Sequence, residues 1–129
     1  MAKSPTRLLI VDDNDMTRAL LRALLRGEEY DVVGEAGNGE QAIEMAQRLK
    51  PEIICLDIEM PKMGGLEALA QLRQLLPQAA VLMVTANTER ETVQTAIANG
   101  AAGYIVKPFN AGRVLAAIEA AVARRRAPK

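Results

Sequence analysis

The chain contains no histidine and no tryptophan, and Cys55 is its only cysteine. Without histidine, the protein cannot use an imidazole as a general base, as a metal ligand or as a carrier of phosphate. A lone cysteine cannot form an internal disulfide, and Cys55 lies inside an apolar run, so we expect a buried, unreactive thiol. The sequence therefore excludes functions that depend on histidine chemistry or on a disulfide within this chain.

The sequence also lacks an excess of charge and a long apolar run. Lys plus Arg and Asp plus Glu number 16 each, so no overall field attracts nucleic acid or an anionic membrane. No stretch approaches the roughly 18 apolar residues of a membrane span, and residues 1–7 lack the apolar middle of a signal peptide. We expect a cytoplasmic protein that binds neither nucleic acid nor membrane.

Five short apolar stretches alternate with segments of helical periodicity. Buried strands are predicted near residues 7–12, 31–35, 53–57, 80–85 and 103–106. The helical faces between them are Met16, Leu20, Leu21, Leu24 and Leu25; Ala42, Ile43, Ala46 and Leu49; Leu66, Leu69, Leu72 and Leu76; Val93, Ala96 and Ile97; and Val114, Leu115, Ile118 and Val122. Five βα units favour right-handed crossovers, so we predict an α/β fold with a doubly wound, five-stranded parallel sheet and helices on both faces.

Local signals set the expected limits of the helices and of the domain. Thr88 and Asn110 are predicted to cap the fourth and fifth helices at their N-termini. The 129 residues suit one domain, with its core at about 7–123 and a short basic tail at 124–129. We interpret the three arginines at 124–126 as a solvated helix end, favoured by the helix dipole.

Four of the predicted strands end at residues that can contact a phosphoryl group. These are Asp12 with Asp13, Asp57, Thr85 and Lys107. Because the carboxyl ends of parallel strands lie along one edge of a sheet, we expect these side chains to share a crevice. Taken singly, each has an ordinary alternative: a helix cap for the acidic pair, a turn residue for Asp57, a strand end for Thr85 and a surface lysine for Lys107.

Three carboxylates in one crevice repel each other unless they are partly protonated or bridged by a cation. Oxygen ligands in small number suit Mg²⁺, which keeps several waters and accepts one or two carboxylates together with phosphate oxygens. The sequence therefore predicts a magnesium site at Asp12, Asp13 and Asp57.

With these residues the chain resembles the receiver domain of bacterial two-component response regulators, and most of all the single-domain, chemotaxis-type members. The resemblance covers nearly the whole chain. It is carried by the acidic pair, the D-x-x-M-P-x-M-x-G run from Asp57 to Gly65, Thr85 followed by Ala86, and Lys107 followed by Pro108. It implies a flavodoxin-like sheet with the strand order 2-1-3-4-5.

The resemblance also implies roles for these residues. Asp57 would accept a phosphoryl group from a partner sensor histidine kinase, and Lys107 and Thr85 would each hold a phosphoryl oxygen. Asp13, Asp57 and the backbone carbonyl of Glu59 would bind Mg²⁺, with Asp12 reaching the ion through water. The receiver would thus assist its own phosphorylation and dephosphorylation without being a turnover enzyme.

A switch surface is implied as well. The added charge would draw Thr85 inward and let Tyr104 rotate from an exposed to a buried position, which would change the face formed by the fourth helix, the last strand and the fifth helix. A downstream protein would bind there. Glu59 and Asn87 stand where the family modulates the lifetime of the phosphoryl group. We expect a monomer, with dimerisation on phosphorylation as a further possibility.

Two other functions stay open at this point. A receiver-like binding module that is never phosphorylated would be expected to lack one of the acids or the lysine, and all are present. A Mg²⁺-dependent phosphatase that forms an aspartyl phosphate usually needs an aspartate two residues after the nucleophile, where this chain has Glu59. A flavin site is disfavoured, because the acidic loop after the first strand would repel the flavin phosphate.

Overall fold

The computed structural model describes residues 5–60, 63–86 and 90–126. Strands and helices alternate through the chain as β1 (Thr6–Val11), α1 (Asp15–Leu25), β2 (Tyr30–Ala36), α2 (Gly39–Leu49), β3 (Ile53–Asp57), α3 (Gly65–Leu75), β4 (Ala80–Thr85), α4 (Arg90–Ala98), β5 (Gly103–Val106) and α5 (Ala111–Arg126). Every predicted strand is present, and its limits agree with the prediction to within one residue.

The five strands form one parallel sheet in the order β2-β1-β3-β4-β5. The predicted fold class and strand order are therefore confirmed. β3 is the central strand, and all five of its residues are buried, as its uninterrupted apolar sequence predicts. The carboxyl ends of β1 and β3 are neighbours, so residues that follow these two strands meet at one edge of the sheet.

Alternating side chains of the sheet enter two separate cores. Ile54 and Leu56 of β3 pack in the core that α2 and α3 cover, whereas Ile53 and Cys55 pack in the core that α1 and α5 cover. This alternation follows from the two-residue period of a strand. The cysteine is buried as expected, and its burial raises the pKa of the thiol to about 12.

Three apolar residues that we predicted on packed helical faces are exposed instead. Met16 and Leu20 of α1 are 78% and 51% exposed, and Ile97 of α4 is 47% exposed. At about 100° per residue, Met16 and Leu20 lie about 140° and 100° around the helix from buried Leu21, which places them outside the face that packs on the sheet. Ile97 is likewise displaced by one residue from buried Ala96.

The basic run at 124–126 lies at the end of α5, as we interpreted it from the sequence, and two of its arginines also bind backbone carbonyls. α5 continues to Arg126, so the proposed boundary at residue 123 falls inside a helix. Arg124 Nη1 donates to the carbonyl of Ala102 at 2.8 Å, and Arg125 Nε donates to the carbonyl of Gln78 at 2.7 Å. These two arginines therefore contact the body of the domain through backbone carbonyls that precede β5 and β4.

The predicted cap of α5 is present: the Asn110 side chain accepts a hydrogen bond from the Arg113 backbone N–H at 3.1 Å. The predicted cap at Thr88 lies outside the described residues. No helix in the described ranges is long and apolar enough to cross a bilayer.

Candidate functional site

Three carboxylates converge at the carboxyl edge of the sheet. Asp12 and Asp13 directly follow β1, and Asp57 ends the neighbouring strand β3. One oxygen from each of the three side chains lies within 4.8 Å of the other two. Asp12 and Asp57 are only 2% and 4% exposed, whereas Asp13 faces solvent. The structure thus brings together acids that stand 45 positions apart in the chain, as the parallel sheet predicts.

Lys107 completes this cluster from the end of β5. Its Nζ atom lies 2.9 Å from Asp12 Oδ2 and 3.4 Å from Asp57 Oδ1. The backbone N–H of Lys107 donates to the Thr85 carbonyl at 2.9 Å, and the bond to Pro108 is cis. Partial burial acts to lower the pKa of Lys107, but the close contact with Asp12 and the charge of Asp57 outweigh it, so its pKa is raised.

The pKa of Asp57 is raised to about 6. Burial is the largest cause, and the nearby charge of Asp12 acts in the same direction. Lys107 and a hydrogen bond from the Glu59 backbone N–H lower this pKa, but by less. A single lysine therefore leaves the three acids under-compensated, and the site favours a further cation.

The atoms of the cluster fit a hard divalent cation. Asp12 Oδ1 accepts a hydrogen bond from the Asn14 backbone N–H at 2.9 Å. Asp12 Oδ2 is buried and lies 2.9 Å from Lys107 Nζ. A buried carboxylate beside two further carboxylates is an oxygen-only donor set of the kind that suits Mg²⁺.

The loop after Asp57 folds back closely on the strand. The Gly65 N–H donates to the Ile58 carbonyl at 2.8 Å, and a Cβ atom on Gly65 would lie 2.2 Å from the Asp57 carbonyl oxygen. No side chain fits at that distance, so glycine is required where α3 begins. Glu59 is exposed in this loop, and the role of its carbonyl as a ligand stays a prediction.

The remaining predicted site residues surround the cluster. Thr85 is buried at the end of β4 and pairs in register with Val106 of β5. Tyr104 is 46% exposed on β5, which is the starting position that the predicted switch requires. Asn87 lies outside the described residues. The functional roles of these three residues stay predictions.

The sequence interpretation missed two residues that support the acidic pair. Asn14 donates its backbone N–H to Asp12, and its side chain accepts from Thr17 N at 3.0 Å as the N-cap of α1. An asparagine directly before a helical pattern is a cap signal that could have revealed it. The second residue is Arg18, whose Nη1 donates to the Asp12 carbonyl at 2.5 Å. Its contact has no comparable sequence signal.

Comparison with known proteins places this geometry in a family. Residues 8–119 match the sequence profile described as the response regulator receiver domain. The chemotaxis protein CheY of Listeria monocytogenes is 45% identical over 115 residues, which are 89% of this chain and 97% of that protein. The transcriptional regulatory protein PdtaR of Mycobacterium tuberculosis is 38% identical over 127 residues, covering 97% of this chain and 60% of that protein.

A solved structure shows the same architecture. The CheX-CheY-BeF3-Mg²⁺ complex from Borrelia burgdorferi contains a chain that matches this one with a TM-score of 0.88 at 30% identity, covering 92% of this chain and 90% of that chain.

Proposed function

Because the chain belongs to the response regulator receiver domain family, we propose that it is a phosphorylation-dependent signalling switch in which Asp57 is the phosphoacceptor. The observation that carries this proposal is the meeting of three carboxylates within 4.8 Å with the Lys107 ammonium 3.4 Å from Asp57. Residues from separate strands build this arrangement, and none of the three acids or the lysine is missing.

In the proposed reaction, an Asp57 carboxylate oxygen attacks the phosphorus of a phosphohistidine on a partner sensor kinase. The P–N bond breaks, the imidazole leaves, and an aspartyl phosphate forms. Such transfer depends on positioning and on neutralising the phosphoryl oxygens more than on further covalent chemistry. Asp57 is suited to the nucleophilic role because its pKa of about 6 leaves it mainly ionised at neutral pH.

Several groups around Asp57 would together neutralise the negative charge of the phosphoryl oxygens. Asp13, Asp57 and the Glu59 carbonyl would hold Mg²⁺, with Asp12 reaching it through water, and the bound ion would supply positive charge for the phosphoryl oxygens. Lys107 contacts both Asp12 and Asp57, which supports the proposal that its ammonium would contact a phosphoryl group on Asp57. The buried hydroxyl of Thr85 would hold a further oxygen.

Output would follow from the face formed by α4, β5 and α5. Tyr104 is half exposed there, and we propose that phosphorylation draws Thr85 toward the phosphoryl group and favours the buried rotamer of Tyr104. A downstream protein would then recognise the changed face. The complex of a related CheY with CheX in the presence of BeF3 and Mg²⁺ supports binding to a second protein as the output. A cytoplasmic location and a monomeric state stay predictions.

Acetyl phosphate tests the proposal without knowledge of the kinase. We expect intact-mass spectrometry to show the gain of one phosphoryl group when the wild-type protein is incubated with acetyl phosphate and Mg²⁺. Asp57→Asn should gain none. Asp31→Asn is the matched control, because Asp31 is an exposed acid on β2 and its loss should leave uptake unchanged.

Other outcomes would point to the alternatives. Mg²⁺ binding without any phosphoryl uptake would contradict the proposal and favour a binding module. Sustained turnover of a generic phosphomonoester, lost in Asp57→Asn, would identify a phosphatase instead.

A further inference from the structure

We propose that Arg18 is a positioning residue for the acidic cluster: it fixes the peptide between Asp12 and Asp13 and so sets the affinity of the cluster for Mg²⁺. The inference rests on the proposed function of that cluster. It concerns a side chain on α1 that contacts no carboxylate of the cluster in the described structure and that acts through the backbone.

The first step is the contact with the backbone of Asp12. Arg18 Nη1 donates to the Asp12 carbonyl at 2.5 Å, and the arginine side chain is only 17% exposed. This carbonyl belongs to the planar peptide that joins Asp12 to Asp13. Holding the carbonyl therefore restrains the rotation of that peptide, which determines how the two carboxylates are oriented relative to each other.

The second step is that Arg18 is itself held in place. Its Nε donates to Glu35 Oε1 at 3.3 Å on β2, and its Nη2 contacts Asp15 one helical turn earlier. Arg22 contacts the other oxygen of Glu35. Because the guanidinium is planar, these contacts orient it as a rigid fork. Arg18 thus connects the end of β1 to both α1 and β2.

The third step is that the backbone of Asp12 is fixed from two sides. Its N–H donates to the Ala36 carbonyl at 3.0 Å, and its carbonyl accepts from Arg18. Asp13 follows in an exposed position and is repelled by the other two acids. A peptide held at this point keeps Asp13 close to Asp12 and Asp57 before a cation arrives.

Charge and positioning predict opposite effects when Arg18 is replaced. Removing a cation near three carboxylates would, by electrostatics alone, tighten the binding of Mg²⁺. Loss of positioning would weaken it, because residues that orient metal ligands typically change affinity by about 10- to 100-fold. The sign of the change therefore separates the two explanations.

The test is calorimetric titration of Mg²⁺ into three variants and the wild-type protein. We expect Arg18→Met to bind Mg²⁺ about tenfold more weakly. Arg22→Met is the matched control. Arg22 carries the same charge as Arg18 and also contacts Glu35, but it does not contact Asp12. The affinity of Arg22→Met for Mg²⁺ should therefore be unchanged or slightly higher. Arg18→Lys keeps the charge without the fork and should also bind more weakly than wild type.

Two further readouts separate positioning from a general loss of structure. With acetyl phosphate as donor, the Mg²⁺ concentration that gives half the maximal rate of phosphoryl uptake should rise in Arg18→Met. The rate at saturating Mg²⁺ should change by a smaller factor than this concentration does. In the metal-free proteins, the amide resonance of Asp13 should shift in Arg18→Met and stay in place in Arg22→Met.

The outcomes distinguish this inference from the proposed function. If wild type takes up a phosphoryl group and both Arg18 variants bind Mg²⁺ as tightly as wild type, the role of Arg18 is refuted and the switch stands. If wild type takes up none while Arg18→Met binds Mg²⁺ more weakly than Arg22→Met, the switch is refuted and the role of Arg18 stands. Should Arg18→Met fail to fold, Arg18→Lys decides by the same comparison.

Discussion

The two edges of the sheet differ in how their charged side chains are arranged: like charges cluster at the carboxyl edge, whereas charges at the amino edge are paired. At the carboxyl edge, Lys107 is the one cation among the described residues that contacts the carboxylates of the acidic cluster of Asp12, Asp13 and Asp57. At the amino edge, charges are paired with each other and with carbonyls. Glu52, just before β3, accepts from the Arg7 backbone N–H at 3.2 Å and from Arg125 Nη1 at 3.2 Å.

Further contacts tie the amino edge together. Arg7 Nη1 donates to the Lys50 carbonyl at 3.1 Å, and Arg124 and Arg125 donate to carbonyls that precede β5 and β4. Satisfied carbonyls and matched charges favour folding, whereas crowded like charges oppose it. The comparison indicates that one edge stabilises the domain while the other holds reactive groups at a cost in stability.

The largest effect that we expect is from packing beneath the carboxyl edge. Gly65→Ala places a Cβ atom 2.2 Å from the Asp57 carbonyl, so we predict a loss of about 3 kcal/mol in the free energy of unfolding. Phosphoryl uptake should fall with it, because Asp57 is displaced. Urea unfolding and intact mass measure the two effects.

Gly64→Ala is the neighbouring control for this substitution. Gly64 has a φ of −70°, and its nearest neighbour would be 3.7 Å from an added Cβ atom. The free energy of unfolding of Gly64→Ala should lie within about 0.5 kcal/mol of the wild-type value. Equal destabilisation by the two alanines would show that the close approach at Gly65 is not the cause.

The next effect is a gain in stability on removing a charge from the carboxyl edge. The pKa of Asp57 is about 6 in the fold against an ordinary value of 3.8, so the folded state binds this proton more tightly than the unfolded state. The resulting penalty is present above pH 6 and disappears as the pH falls toward 3.8. Without divalent cations at pH 7.5, Asp57→Asn should be more stable by on the order of 2 kcal/mol.

Urea titrations at several pH values check this prediction. The difference between Asp57→Asn and wild type should shrink as the pH is lowered to about 4. Asp31→Asn, which removes an exposed acid on β2, should show no such gain. A variant less stable than wild type at pH 7.5 would mean that the ion pair with Lys107 outweighs the cost of burial and the repulsion from Asp12.

A smaller effect is expected from adding the cation. At a Mg²⁺ concentration ten times the dissociation constant, the free energy of unfolding should rise by about 1.4 kcal/mol. Asp13→Asn should lose most of this increment, whereas Arg125→Met should keep it, because Arg125 lies at the other edge. Thermal unfolding with and without Mg²⁺ measures it. An increment reduced equally in both variants would contradict the separation of the two edges.

The smallest effect is expected at the amino edge itself. Arg125→Met removes the hydrogen bond to the Gln78 carbonyl and the ion pair with Glu52, so it should lower the free energy of unfolding by about 1 kcal/mol. Phosphoryl uptake should be unchanged. Arg113→Met, at an exposed position in the first turn of α5, is the control and should unfold like wild type.

The sheet was predictable because its inner strands β1, β3 and β4 are mainly apolar and buried. A run such as that of β3, buried on both faces, fixes where a strand begins and ends with little ambiguity. The helices were less certain, since apolar periodicity alone placed Met16, Leu20 and Ile97 on packed faces. How much of a helix a sheet covers depends on the crossing geometry, which the periodicity does not contain.

The candidate site likewise contains residues that the sequence predicted and residues that it did not. Asp12, Asp57 and Lys107 were predictable because parallel strands bring their carboxyl ends together. Arg18 and Arg125 were not, because each binds a backbone carbonyl on a different element, and any residue can supply that carbonyl. Contacts of this kind depend on the finished fold and leave no pattern in the sequence.

The buried thiol of Cys55 has a practical consequence for observing the proposed switch. With its pKa raised to about 12 and its side chain inside the sheet, it should not react with maleimides at neutral pH in the folded protein. A second cysteine introduced on an exposed helix can therefore be labelled selectively, with the native cysteine left in place. Because the chain has no tryptophan, such a fluorophore would report on the proposed phosphorylation cycle without interference from tryptophan emission.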